Sequence, residues 1–180
     1  MRNKNFWPLV ALAALLVFNL LFTTGFARIE VREGRLFGTL IDIFQNGAPV
    51  MLLATGMTLV IALGGIDLSV GSVMALSGAV AALLMTAQGL PVSVCMLAAL
   101  GVSLLVGALN GVLVTYAGIQ PIIVTLVTLV TCRGIAQTLT HDQKIGFENP
   151  DFEFIGNGTV MGLPAPLFIV AAVVFAVSVL

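Results

Sequence analysis

The chain has 180 residues, of which 59% are hydrophobic and only 8% charged, and its mean hydropathy is +1.16. A soluble domain carries about a quarter charged residues. Polar side chains are therefore too few to cover a water-facing surface, and an integral membrane protein is expected. A net charge of −1 with seven Lys and Arg residues leaves no footprint for nucleic acid.

The apolar runs are continuous rather than alternating, which points to helices and away from a barrel. The opening stretch, MRNKNFWPLVALAALLVFNLLF, has Arg2 and Lys4 ahead of an apolar core, as a signal peptide would. The run is too long for that, no A-x-A cleavage site follows, and further spans come after it. A first, uncleaved span is expected over about residues 8–26, with Trp7 at the interface. The ARIEVREGR segment mixes three arginines with two glutamates and must lie outside the hydrocarbon. LFGTLIDIFQN then places Leu36, Leu40, Ile43 and Phe44 on one side, the pattern of a short interfacial helix.

Further spans are predicted over about residues 47–63, 69–86, 92–116 and 121–139. The breaks between them are AQGLPV and AGIQP, where Gly118 suits a helix C-terminus and Pro121 a first helical position. A polar loop over residues 140–165 follows, and a sixth span starts near Pro166. Only 14 residues remain from Leu167 to Leu180, whereas a span needs about 20. The expected fold is an all-α polytopic membrane protein with about six spans, the last cut short. Residues 1–180 read as the N-terminal part of a single transmembrane domain. Basic residues at the N-terminus and four acids against one Lys over 141–153 favour a cytoplasmic N-terminus.

The octet GGIDLSVG, residues 64–71, holds Asp67, the sole charged side chain between Ile43 and Cys132. Gly64 and Gly65 can take left-handed angles and end one helix. Asp67 or Ser69 can accept the free N–H groups that start the next, where a carboxylate also suits the helix dipole. Gly71 offers close approach to a neighbour. Alternatively the broken helix lies within the membrane and lines a pathway for a polar solute. There an acid costs about 2.5–3.5 kcal/mol on insertion scales, so a role is expected of it. Both readings can hold together.

Small residues recur in the later spans. Ser103, Gly107 and Gly111 are spaced by four, and GALNG is a literal G-x-x-x-G, so close helix packing within one subunit is expected. In the preceding span Gly71, Ala75, Ala79 and Leu83 share a face. Asn110 is either interhelical glue or a hydroxyl-binding group. Thr125, Thr128, Thr131 and Thr138 are expected to back-bond to their own helix or to meet a neighbour. Arg133 can snorkel to the interface. Cys95 and Cys132 read as packing residues, and His141 has no companions at zinc-ligand spacing. Neither lysine sits in a phosphate loop, and no catalytic constellation of Ser, His and Asp or of paired carboxylates gathers. No cofactor, metal or enzymatic activity is expected.

GMTLVIALGGIDLSVGSVMALSGAV, LNGVLVTYAGIQPIIVTLVTLVTCRGIAQ and FIGNGTVMGLPAPLFIV together resemble the permease subunits of bacterial ABC sugar importers of the ribose type. GRLFGTLIDIFQNGAPVMLLATGMTLVIA is especially similar to the galactofuranose-type permeases. The resemblance runs from about residue 36 onward. It implies a full-length protein about twice as long with around ten spans in the inner membrane. It also implies a second permease subunit, an ABC ATPase on the cytoplasmic side and a periplasmic sugar-binding protein. Alternating access would then carry a neutral sugar past structure built around Gly64, Gly65, Asp67, Ser69 and Gly71, with Asn110 behind them. The contrasting possibilities are an ion-coupled carrier or channel using Asp67, and a membrane scaffold without flux.

Overall fold

A computed structural model describes residues 6–28, 30–32, 35–160 and 162–179. Arg2 and Lys4, on which the orientation expectation partly rests, lie outside the described residues. The elements are α1 (Phe6–Phe22), β1 (Glu30–Arg32), β2 (Arg35–Phe37), α2 (Thr39–Ala62), α3 (Val70–Gln88), α4 (Val92–Thr115), α5 (Pro121–Thr140), α6 (Pro150–Asn157), β3 (Thr159–Val160), β4 (Leu163–Pro164) and α7 (Ala165–Ser178). Among the described residues four helices, α2 to α5, are long and apolar enough to cross a membrane. Two shorter apolar helices, α1 of 17 residues and α7 of 14, stand where the first and sixth spans were expected; neither reaches full spanning length as described, so the expected six is more than the described residues show.

Two compact units divide the chain. One comprises Met1–Val50 with Phe154–Leu180, the other Met51–Glu153. In the first, β1 and β2 form an antiparallel hairpin that pairs Glu30 with Phe37, and Arg28 bridges Glu30 at 3.2 Å. This hairpin falls in the polar stretch that was expected to lie outside the hydrocarbon. Its strand β2 takes Leu36 and Phe37, which were expected to begin an interfacial helix. The expected boundary at residue 47 is also absent, because α2 runs unbroken through Pro49. Proline there removes one N–H and so one bond to the Gln45 carbonyl, which an otherwise continuous helix tolerates. Two polar residues of this first half find partners, one local and one distant in the chain. Asn46 donates to the Asp42 carbonyl at 2.9 Å, and the Gln45 amide donates to the Asn157 side chain at 3.1 Å.

The second unit is built on α3, α4 and α5. Leu76 and Ala79 of α3 meet Cys132 and Ala136 of α5 in a buried cluster, flanked by Val73, Val80, Val102 and Val106. The buried face of α3 is Ser72, Leu76, Ala79 and Ala82, the i, i+4, i+3 spacing of a helix seam. Gly71 and Ala75 fall beside that seam and are exposed. Cys95 is fully buried, consistent with a packing role. Within the 140–165 loop, Asn149 caps α6 by accepting the N–H groups of Asp151 and Phe152 at 3.0 and 3.4 Å. Pro150 stands at its first position, where a missing N–H costs nothing.

Candidate functional site

The segment between α2 and α3 is a helix break with a defined mechanism at each side. Gly64 takes φ +77°. Its N–H donates to the Ile61 carbonyl and that of Gly65 to the Val60 carbonyl, both at 2.9 Å. Those two bonds are a Schellman termination, which satisfies carbonyls that the end of α2 would leave free. A side chain on Gly65 would press on Val60, whose Cγ1 and carbonyl oxygen lie 3.2 and 3.3 Å from where its Cβ would stand.

Asp67 organises the other side. One oxygen, Oδ1, accepts the Ser69 N–H at 2.8 Å and the Ser69 hydroxyl at 2.6 Å. The sequence left open whether Asp67 or Ser69 would accept the free N–H groups. Neither caps the first N–H groups of α3: Asp67 accepts only the N–H of Ser69, the residue before the helix, and the Ser69 hydroxyl is spent as a donor to Asp67. The Ser69 carbonyl takes the first helical bond, from Val73 N–H at 2.9 Å, together with the Ser72 hydroxyl at 2.7 Å.

From Ser69 the hydrogen bonds leave the loop. Asn110 of α4 donates through Nδ2 to Ser69 Oγ at 3.2 Å, and its Oδ1 accepts the Thr128 hydroxyl of α5 at 2.6 Å. Thr125, one turn earlier on α5, donates to the Ile66 carbonyl at 3.3 Å as well as to its own helix at Pro121. Ser69, Asn110, Thr125 and Thr128 are all buried. The break is thus tied to both neighbouring helices by side chains that the sequence keeps 41 and 59 residues apart.

The depth of this arrangement follows from helix geometry. Asn110 lies five residues before the end of α4 and Thr128 seven after the start of α5. At 1.5 Å per residue those positions are about 8 and 10 Å inward from the linked ends of the two helices. Ser69, at the end of the break, is therefore held inward of those helix ends, while Gly64, Ile66 and Leu68 before it are exposed. Irregular backbone is tolerated at membrane depth where protein buries its polar groups or a cavity reaches it.

Cavities reach it here. One of about 410 Å³ is lined by Gly64, Gly65, Asp67, Gly107, Asn110 and Gly111, with Pro121 and Thr125. A neighbouring one of about 340 Å³ shares Asp67, Gly107 and Asn110 and adds Ser69, Ser77 and Ser103. Both fall within the range of small-molecule sites, about 300–1,000 Å³. The structure therefore gathers Gly64, Gly65, Asp67, Ser69, Asn110, Ser103, Gly107 and Gly111 around two adjoining spaces. Gly71 lines neither. Close packing was expected at Gly71, Gly107 and Gly111, but a Cβ at any of them would meet no atom within 4 Å among the described residues. Thr125 and Thr128 were not singled out from the other span-5 hydroxyls; what distinguishes them is a partner on another segment. Arg133 is exposed on α5.

Comparison with known proteins gives the class. The family model described as branched-chain amino acid transport system / permease component matches residues 39–180. The galactofuranose transporter permease protein YtfT of Escherichia coli (strain K12) is 46% identical over 173 residues, 93% of this chain and 50% of that protein. The fructose import permease protein FruF of Bifidobacterium longum (strain NCC 2705) is 38% identical over 180 residues, 97% of this chain and 50% of that protein. The ribose import permease protein RbsC of Haemophilus influenzae (strain ATCC 51907 / DSM 11121 / KW20 / Rd) is 41% identical over 143 residues, 77% of this chain and 44% of that protein. The chain spans about half the length of the curated relatives it matches. No solved structure matches it. A helical, multi-pass architecture and a match over most of the chain agree, and the chain belongs to the branched-chain amino acid transport system / permease component family.

Proposed function

We propose that the chain is part of the permease subunit of an ATP-driven ABC importer that carries a monosaccharide, galactofuranose or a similar sugar, across the bacterial inner membrane. The observation that carries this reading is the hydrogen-bonded break at residues 64–69, anchored to α4 through the buried Ser69 and opening on cavities lined by Asp67 and Asn110. The relatives named above, a galactofuranose, a fructose and a ribose permease, support a sugar as the cargo.

The chemistry separates a sugar from the amino acids in the family's description. A zwitterionic amino acid needs a cation for its carboxylate and an anion for its ammonium group. Asp67 is the only charged residue between Ile43 and Cys132, and its Oδ1 is already engaged by Ser69. A neutral sugar needs hydroxyl donors, acceptors and apolar walls, which the amide of Asn110 and the surrounding serines and valines provide. The ion-coupled reading of Asp67 finds no second acid within this unit's spans to hold a cation or relay a proton.

In this scheme residues 1–180 belong to one transmembrane permease domain with the N-terminus in the cytoplasm. The chain performs no chemistry of its own. A separate ABC ATPase hydrolyses ATP, a periplasmic binding protein delivers the sugar, and a second permease subunit, identical or homologous, completes the passage. The test is uptake of labelled sugar into vesicles holding the full-length permease with its partners. Uptake requires ATP and survives collapse of the ion gradient; uptake that proceeds without nucleotide and stops with an uncoupler overturns the proposal.

A further inference from the structure

We infer that Thr128 is a positioning residue for the break at residues 64–69, acting through Asn110 along a hydrogen-bond chain whose direction is imposed by the carboxylate of Asp67. The inference builds on the reading of that break as part of the sugar passage.

The direction follows from donor and acceptor counts. An ionised carboxylate only accepts hydrogen bonds, and a serine hydroxyl has one proton to give. The Ser69 proton goes to Asp67 Oδ1 at 2.6 Å, so Ser69 Oγ can only accept from α4. It meets Asn110 Nδ2 at 3.2 Å, which fixes the amide with Oδ1 turned toward α5. That oxygen needs a donor, and Thr128 provides it at 2.6 Å. Each link leaves one arrangement for the next.

Thr128 departs from the habit of six other helical threonines. Thr55, Thr58, Thr86, Thr125, Thr138 and Thr140 each donate to a carbonyl four residues back on their own helix. The Thr128 hydroxyl donates instead across to α4. Back-bonding is the local default in an apolar helix, and Asn110 Oδ1, buried with its residue 7% exposed, draws the Thr128 proton away from it. The chain Thr128–Asn110–Ser69–Asp67 thus spans α5, α4 and the break. A displacement of α5 along its axis by one helical turn would break it, leaving a buried amide oxygen without a donor.

The experiment uses the full-length permease in lipid nanodiscs and reads amide hydrogen exchange over residues 64–69. Thr128→Val keeps the side-chain shape and removes the donor, and the expected result is at least tenfold faster exchange over the break. Thr128→Ser restores the donor and should return exchange to within about twofold of the unaltered protein. Thr138→Val, which removes a back-bonding hydroxyl, should leave the break unchanged. In an Asn110→Ala background Thr128→Val should add nothing, because Thr128 acts only through Asn110. If Thr128→Val yields no folded protein, Thr128→Ala removes the same donor and is read in the same way. Unchanged exchange over residues 64–69, or no rescue by serine, overturns the inference whatever transport does. Faster exchange with transport intact upholds the inference and instead sinks the assignment of the break to the passage.

Discussion

Replacing Asp67 by Asn and by Leu separates what its shape contributes from what its charge contributes. Oδ1 holds both the N–H and the hydroxyl of Ser69, at 2.8 and 2.6 Å. Asparagine keeps an acceptor oxygen in that place and caps helices as well as aspartate does. A hydrogen bond to a charged group contributes about 1.5–3 kcal/mol against about 1 kcal/mol for a neutral one, so Asp67→Asn weakens the pair by about 2 kcal/mol. Removing a charge from the bilayer returns about 2.5–3.5 kcal/mol at a span's centre and less toward its end. The two nearly cancel. Leucine has no acceptor, and the Ser69 N–H, on a residue 1% exposed, is left unpaired at about 1–3 kcal/mol with a second bond lost besides. A net gap of about 2–4 kcal/mol separates the two variants, more than tenfold in the folded fraction. The assay is the yield and thermal midpoint of monodisperse full-length protein in detergent, with ATP-dependent uptake measured at matched abundance. Asn should match the unaltered protein in both and Leu should fall in yield. A loss of uptake in Asp67→Asn at normal abundance would refute the reasoning and assign the charge itself to the pathway.

Two further substitutions probe the same break. Gly64 has φ +77° with open space around it, so Gly64→Ala costs backbone strain alone, about 1–2 kcal/mol, and Gly64→Asn should cost less; thermal midpoints of the two variants check the order. Asn110→Leu removes two interhelical bonds that average about 0.6 kcal/mol each in membranes. Thr128 can then turn back to its own helix, so the loss should stay near 1 kcal/mol while transport drops; a loss above about 4 kcal/mol by the same midpoint assay would contradict this.

Much of this arrangement is legible from residue types alone. Paired glycines specify the helix stop, and an acid two residues before a serine specifies the Asp67–Ser69 turn ahead of the next helix, because both are local matters. The ends of α3, α4 and α5 lie within two residues of the expected ones for the same reason, with Gly89, Gly118 and Pro121 as punctuation. The start of α2 was misplaced because Pro49 and the polar residues before it suggest a boundary, yet Asn46 and Gln45 find partners without interrupting the helix. Helix rotation is the other loss. Gly71 and Ala75 look like a packing face, but Ser72 and Leu76 one residue on are the ones buried, a distinction that 100° of rotation decides and composition does not. Thr128 is one of several similar hydroxyls until a folded chain brings Asn110 to it.

The account stands or falls on whether water and solute reach the space beside Asp67. Gly107 lines both cavities and has room for a side chain, whereas Leu104 on the same helix is 75% exposed and lines neither. In full-length protein with Cys95 and Cys132 replaced, Gly107→Cys should react with a charged, membrane-impermeant thiol reagent, and Leu104→Cys only with a lipid-soluble maleimide. Reaction of both positions with the lipid-soluble reagent alone would show a helix face in hydrocarbon and contradict a polar passage at the break.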